Sequence, residues 1–254
     1  MQVTFLGTGT SHGIPVIGCR CAVCASKDPR DQRGRTALLV RSRRATLLVD
    51  APPELRLQLV RSRVDRVDAL LLTHAHADHI SGLDDVRIFS EREQRAFPVY
   101  GPASALRQVR ERFGYVFRPT QEGGGKPRLS LRAVSAPFAV QGVRVRPLAV
   151  WHGKVRVFGY RIGNLAYLTD VSRIPESVYP ALRGLSVLVL DALRREPHNT
   201  HFHLDRAVAE ARRIGARKTY FTHLCHRLGH ADTERTLPPG MRLAYDGLTL
   251  RLSD

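Results

Sequence analysis

The chain has 254 residues and 43% hydrophobic content, enough to build a sizeable core. Its 40 Lys and Arg against 23 Asp and Glu leave a net charge of +17, a field that attracts phosphorylated metabolites, RNA and anionic surfaces without choosing among them. No apolar run approaches the roughly 18 residues of a membrane span. The opening MQVTFLGTGTSHG also lacks the basic and then apolar pattern of a secretory leader, so the reading is a cytoplasmic protein with no membrane partner.

In chain order, VTFL reads as a strand and runs into the Gly-rich loop GTGTSHG. Three cysteines follow, Cys19, Cys21 and Cys24, and then the polar stretch SKDPRDQRGR. TALLVR and ATLLVDAP read as two short strands, PELRLQLVRSR has helical spacing, and VDALLLTH is a buried-strand run. FPVYGP is a short strand and ASALRQVRERFG a helix. RPTQEGGGKPR, with glycines 123–125, reads as a flap over a site or a long turn. The second half repeats the theme with LRAVSAP, VRVRPLAVWH, VFGYRIG, LAYLTD and VLVLDAL, then the helix DRAVAEARRIG and the strand KTYFTHL. No linker composition divides the halves, so the predicted fold is α/β, one αββα sandwich over residues 1–254.

Polar residues recur where apolar runs end: Asp50 after LLV, His74 after ALLLT, His152 after LAVW, Asp170 after LAYLT and His223 after TYFT. Rigid strands aim such groups and loops surround them, so repeated strand-end His and Asp point to a site. THAHADH concentrates the signal. His74 and His76 are two apart and share a face on an extended segment, and Asp78 and His79 follow as the chain turns. Imidazole and carboxylate suit Zn, Mn and Fe. With His152, Asp170 and His223 there are seven candidate ligands, too many for one tetrahedral ion and right for two ions that share a carboxylate.

The His-x-His-x-Asp-His run, with the other strand ends in order, resembles the signature of the metallo-β-lactamase superfamily. The resemblance implies two mixed β-sheets flanked by helices. It implies a first divalent ion held by His74, His76 and His152 and a second held by Asp78, His79 and His223. Asp170 would bridge the two, and Asp50 would orient the ligand loop.

Cys19, Cys21 and Cys24 can wrap three thiolates around one ion, with Cys225 or His226 as the fourth ligand. GTGTSHGIPVIGCRCAVC together with THLCH resembles the family of phosphoribosyl 1,2-cyclic phosphate phosphodiesterases. That resemblance implies a structural zinc on Cys19, Cys21, Cys24 and His226, with Cys225 a bystander. It also implies His201, from HNTHFHL, as the catalytic histidine. His203 stands where that family carries a carboxylate, a departure that bears on the local hydrogen bonds. His198 and His12 receive no role.

Two divalent ions, Mn or Zn, would activate a water between them and clamp a phosphoryl oxygen. Asp78 would orient that water, and His201 would act as general acid toward the leaving oxygen or as a donor to a phosphate oxygen. Lys154, close after His152, and Arg87, past DHISGLDD, are the candidate anchors for substrate phosphate. The expected function is hydrolysis of the cyclic phosphate ester of a small phosphorylated sugar. A ribonuclease Z-like RNA phosphodiesterase is the alternative, kept by the net charge although the stretch from Phe113 to Lys126 is short for a tRNA-gripping arm. The cysteine cluster and His201 argue against thioester hydrolysis, and the ligand count argues against a purely structural nucleic-acid module. The family also implies a homodimer.

Overall fold

The structure is a computed structural model that describes residues 1–119 and 125–252. The centre of the Gly-rich stretch, residues 120–124, lies outside the described residues, and the flap-or-turn reading with it.

Fourteen strands are described: β1 (Gln2–Gly7), β2 (Ala37–Arg41), β3 (Thr46–Val49), β4 (Ala69–Leu71), β5 (Phe97–Gly101), β6 (Leu129–Ala133), β7 (Phe138–Val140), β8 (Val143–His152), β9 (Val155–Ile162), β10 (Leu165–Leu168), β11 (Val187–Asp191), β12 (Lys218–Thr222), β13 (Met241–Leu243) and β14 (Thr249–Arg251). They form two seven-stranded sheets ordered β14-β1-β2-β3-β4-β5-β6 and β13-β12-β11-β10-β9-β8-β7. Each sheet is mixed. β3 to β6 run parallel, as do β10 to β13, while β14-β1-β2-β3 and β7-β8-β9-β10 pair antiparallel.

The unbroken apolar runs LLV, ALL, LAYL and VLVLD belong to strands covered on both faces. One face of each sheet meets the other across a core built from Val3, Phe5, Leu38 and Val40 on one side and Tyr160, Val187 and Val189 on the other. The outer face of the first sheet is covered by Leu55 and Leu59 of α1 (Leu55–Arg61) and by Ala105, Leu106 and Val109 of α4 (Ala103–Arg112). Between these lie the four-residue α2 (Ala77–Ile80) and α3 (Arg87–Arg92). The second sheet is covered by α5 (Leu204–Ile214), whose Leu204, Ala207 and Ala211 share one face, and which ends at the left-handed Gly215. The last helix is α6 (His230–Glu234). The layers are those of the predicted αββα sandwich.

Parallel pairing decides where the polar strand ends gather. β3 and β4 end on the same side of their sheet, and β10, β11 and β12 do so in theirs; β8, two antiparallel steps from β10, points the same way. Gly82 then fits the loop after α2 onto the first sheet. A Cβ there would lie 2.0 Å from the Pro52 carbonyl oxygen, so backbone meets backbone beside Asp50.

Candidate metal centre

Asp50, Asp170 and His223 each stand one or two residues past a strand, and each has a left-handed backbone, with φ of 63°, 56° and 59°. Non-glycine residues rarely adopt this conformation, and where they do it clusters at functional sites. Here the turn carries Asp170 and His223 off their strands into a common space and sets Asp50 behind the imidazoles that line it.

The ligating atoms of His74, His76, His152 and Asp170 all lie within 4.8 Å of one another, and so do those of Asp78, His79 and His223. Asp170 stands between the two groups. Its Oδ1 is 3.9 Å from His74 Nε2, 4.0 Å from His152 Nε2 and 3.4 Å from His223 Nε2, and its Oδ2 is 3.2 Å from His79 Nε2. Asp78 Oδ2 lies 3.3 Å from His79 Nε2 and 3.7 Å from His223 Nε2. His76 is the exposed member, so the space opens beside it.

The imidazoles are held from behind. His74 Nδ1 donates to Thr73 Oγ1 (2.9 Å), and that hydroxyl donates to Asp50 Oδ2 (2.8 Å). His79 Nδ1 donates to the same carboxylate oxygen at 2.8 Å, and the Thr73 N–H donates to Asp50 Oδ1 at 2.8 Å. His152 Nδ1 donates to the Thr200 carbonyl at 2.7 Å. Each bond leaves Nε2 bare and aimed at the shared space, the arrangement that metal-ligating histidines use. Asp50 thus contacts both Thr73 and His79 of the ligand loop.

Buried Nε2 atoms of His74, His79 and His223 have no hydrogen-bond partner. Such atoms are costly unless something satisfies them. Burial holds the His74, His76 and His152 imidazoles below their ordinary range, which favours the neutral ring that ligates a metal. Burial alone would raise the Asp78 and Asp170 carboxyls, but His223 and His79 outweigh it and hold both as carboxylates. Burial likewise works against charge on His223, yet Asp170 and Asp78 push it up to about 9. Bare imidazole nitrogens facing two carboxylates are a donor set that fits divalent cations.

His201 lies at the edge of this cluster, its ring centroid 4.6 Å from that of His152 and 4.8 Å from that of His223. Its Nδ1 donates to Asp191 Oδ2 at 2.8 Å, and the same oxygen accepts the Val171 N–H at 2.8 Å. Asp191 is fully buried. It was missed as a site residue although it ends VLVLD with the same pattern as the other strand ends.

The second cluster lies in the N-terminal loop. His226 Nδ1 is 3.2 Å from Cys19 Sγ and 3.6 Å from both Cys21 Sγ and Cys24 Sγ, and all four ligating atoms are mutually within 4.8 Å. The Cys24 backbone N–H, bonded to Cys21 Sγ, brings that thiol down to about 6, while burial pushes the Cys24 thiol up to about 11. Cys225 stands apart; its sulfur accepts the Arg227 N–H.

The two candidate phosphate anchors do not join the cluster through any hydrogen bond. Arg87 pairs with Asp84 at 3.4 Å, and Lys154 is exposed on the turn after β8. Arg112, which the sequence does not single out, donates to the Ala75 carbonyl between two of the predicted ligands. His198 accepts the Thr200 N–H at 3.2 Å, His203 caps α5 with no side-chain bond, and His12 is exposed.

Two stacked mixed sheets with this His/Asp cluster at their strand ends define a metal-dependent hydrolase of the metallo-β-lactamase fold. Residues 45–224 match the family model described as "Beta-lactamase superfamily domain". A solved structure, "a New Diphosphatase from the PhnP Family", is 42% identical, with a TM-score of 0.92 over 98% of this chain and 96% of its own. The octanoyltransferase of Porphyromonas gingivalis is 37% identical over 253 residues, and a ribonuclease Z of Metallosphaera sedula is 27% identical over 157 residues, which is 60% of this chain. The chain spans about half the length of these curated relatives, 51% of the first and 45% in the aligned part of the second. The chain belongs to the β-lactamase superfamily and, within it, to the PhnP family.

Proposed function

We propose that this chain is a metal-dependent phosphodiesterase that opens the cyclic phosphate ester of a small phosphorylated sugar. The observation that carries the reading is the His201–Asp191 pair beside a cluster suited to two divalent ions. His74, His76 and His152 would hold one ion, Asp78, His79 and His223 the other, and Asp170 would serve both. When bound, the ions supply Lewis acidity toward a phosphoryl oxygen and a water of lowered pKa. Asp78, the partly accessible carboxylate of the set, orients the attacking water. His201, with Nδ1 tied to Asp191, presents Nε2 to the leaving oxygen and gives it the proton. Asp191 keeps the ring in that tautomer and steadies the charge that the ring carries before transfer. Thr73 and Asp50 keep His74 and His79 from turning.

A structural zinc on Cys19, Cys21, Cys24 and His226 belongs to the same reading; it would tie the N-terminal loop to the segment that follows His223. The diphosphatase likeness supports phosphoric ester chemistry. Acyl transfer, the activity named for the Porphyromonas gingivalis relative, is not adopted, because the match spans about half of that protein and the cluster suits metal-assisted hydrolysis. Cleavage of RNA is the second reading, favoured by the net charge of +17 and the partial likeness to a ribonuclease Z.

The test compares turnover of a cyclic ribose phosphate, an unprocessed tRNA and an aryl phosphodiester, each with Mn or Zn added back after chelation. The cyclic ribose phosphate should be turned over fastest, and all activity should depend on added metal. Faster cleavage of the tRNA than of either small diester would overturn the reading.

A further inference from the structure

Besides the ester that is cut, the substrate proposed above carries a second phosphate, a terminal monoester that is not cut. A dianion at the mouth of a cleft calls for a fixed cation, and neither candidate from the sequence is bonded to the ligand cluster. We infer that Arg112 is the specificity-determining residue that receives this terminal phosphate.

Arg112 is the last residue of α4. Its Nη1 donates to the Ala75 carbonyl at 2.5 Å, and its Nη2 to Gln108 Oε1 one turn back at 3.2 Å. Ala75 lies between His74 and His76, so the guanidinium is bonded to the backbone of the ligand loop itself. His76 is the exposed ligand, so Arg112 sits on the side where the cluster opens to solvent.

The two hydrogen bonds fix the plane of the fork without exhausting it. A guanidinium has five N–H groups, and two are engaged here. The side chain is exposed. A planar, anchored fork with free N–H groups suits the two-point recognition of a phosphate dianion better than a loose ammonium does. By contrast, Arg87 is drawn toward Asp84, and Arg194 is spent on the Glu196 and Pro197 carbonyls.

Arg112 would be a strut and nothing more if its bond to Ala75 merely braced the loop. In that case its loss would weaken every substrate alike. The inference rests on the phosphodiesterase reading, and the experiment separates the two. Arg112→Ala and Arg112→Lys are assayed with metal-loaded protein on two cyclic ribose phosphates that differ only in the terminal phosphate, with an aryl phosphodiester as reference. For Arg112→Ala, KM for the phosphate-bearing diester should rise about tenfold or more, while kcat, and both constants for the other two substrates, stay within about twofold. Arg112→Lys should recover part of the loss. An equal change on all three substrates, or none on the phosphate-bearing one, overturns the inference. If the wild type cleaves the aryl diester but neither ribose diester, the substrate reading has failed. Arg112 is then judged by inhibition of aryl-diester cleavage. Ribose phosphate should inhibit about tenfold less well in Arg112→Ala, with inhibition by ribose unchanged, and equal inhibition of both proteins by ribose phosphate overturns the inference.

Discussion

His201 and Asp191 form a pair that reaches from the core to the rim of the site: Nδ1 and Oδ2 are 2.8 Å apart, with the carboxylate fully buried and the ring half-buried at the rim of the His/Asp cluster. They stand ten positions apart in the chain. Asp191 ends β11, and the excursion that follows returns to place the histidine over it. The pair is oriented by one carboxylate oxygen, which also holds the Val171 N–H next to Asp170.

Asp191→Asn should therefore lower kcat by about 10²- to 10⁴-fold while leaving the amount of bound metal unchanged, because the ring loses the negative charge that steadies its protonated form. Steady-state kinetics alongside metal analysis checks this. Near wild-type kcat in this variant would remove His201 from the role of proton donor.

Cys21→Ser should release one metal ion per chain and lower the melting temperature by roughly 5–10 °C, as the N-terminal loop loses its tie to His226. Metal analysis and thermal unfolding of the same preparation are the measurements. A full metal complement and an unshifted melting temperature would count against a structural ion at this place.

His230 makes a prediction about pH. Its buried ring accepts a hydrogen bond from Arg33 Nη2 through Nδ1 at 3.1 Å, which requires the neutral form. Burial, then the charges of Arg33 and Arg30, push it from the usual 6.5 down to about 4, against the weaker pull of Asp28 and Asp31. The unfolded chain therefore takes up this proton first. The stability due to His230 is complete above about pH 6.5 and drains away as pH falls through about 4, on the order of 1–3 kcal/mol. Asp246 works in the opposite sense. Burial raises its carboxyl to about 6 although it accepts from Gly34 N and Thr8 Oγ1, so its contribution is present below its ordinary 3.8 and lost as pH rises through 6. The variant His230→Gln keeps an acceptor for Arg33 without titrating. Denaturant unfolding at several pH values between about 4 and 7.5 should show wild type losing stability relative to the variant toward acid. Parallel curves would refute this assignment.

Most of the chain's strands, though not their order in the sheets, and the strand-end His and Asp were legible in the sequence because both signals are local. Unbroken runs such as LLV and VLVLD mark strands covered on two faces, and a His or Asp directly after such a run marks a strand end facing a site. Thr73, by contrast, looked like part of a run; only the fold shows its hydroxyl relaying between His74 and Asp50. Asp191 carried the right local signal and was passed over. Arg112 carried none, since a basic residue in the last turn of a helix is expected from the helix dipole alone.

The amino-acid sequence by itself determined the αββα layering, the seven His and Asp candidates and the Cys-x-Cys-x-x-Cys loop, since periodicity, strand-end residues and ligand spacing are properties of neighbours in the chain. Tertiary structure decided that His226, not Cys225, faces those three cysteines, that Asp170 stands between two groups of imidazoles, and which arginine borders the exposed ligand. These are choices between residues with equal local credentials. They are made by sheet pairing and helix packing, which join positions up to two hundred residues apart, as Cys19 and His226 show, and leave no trace in any short window of the chain.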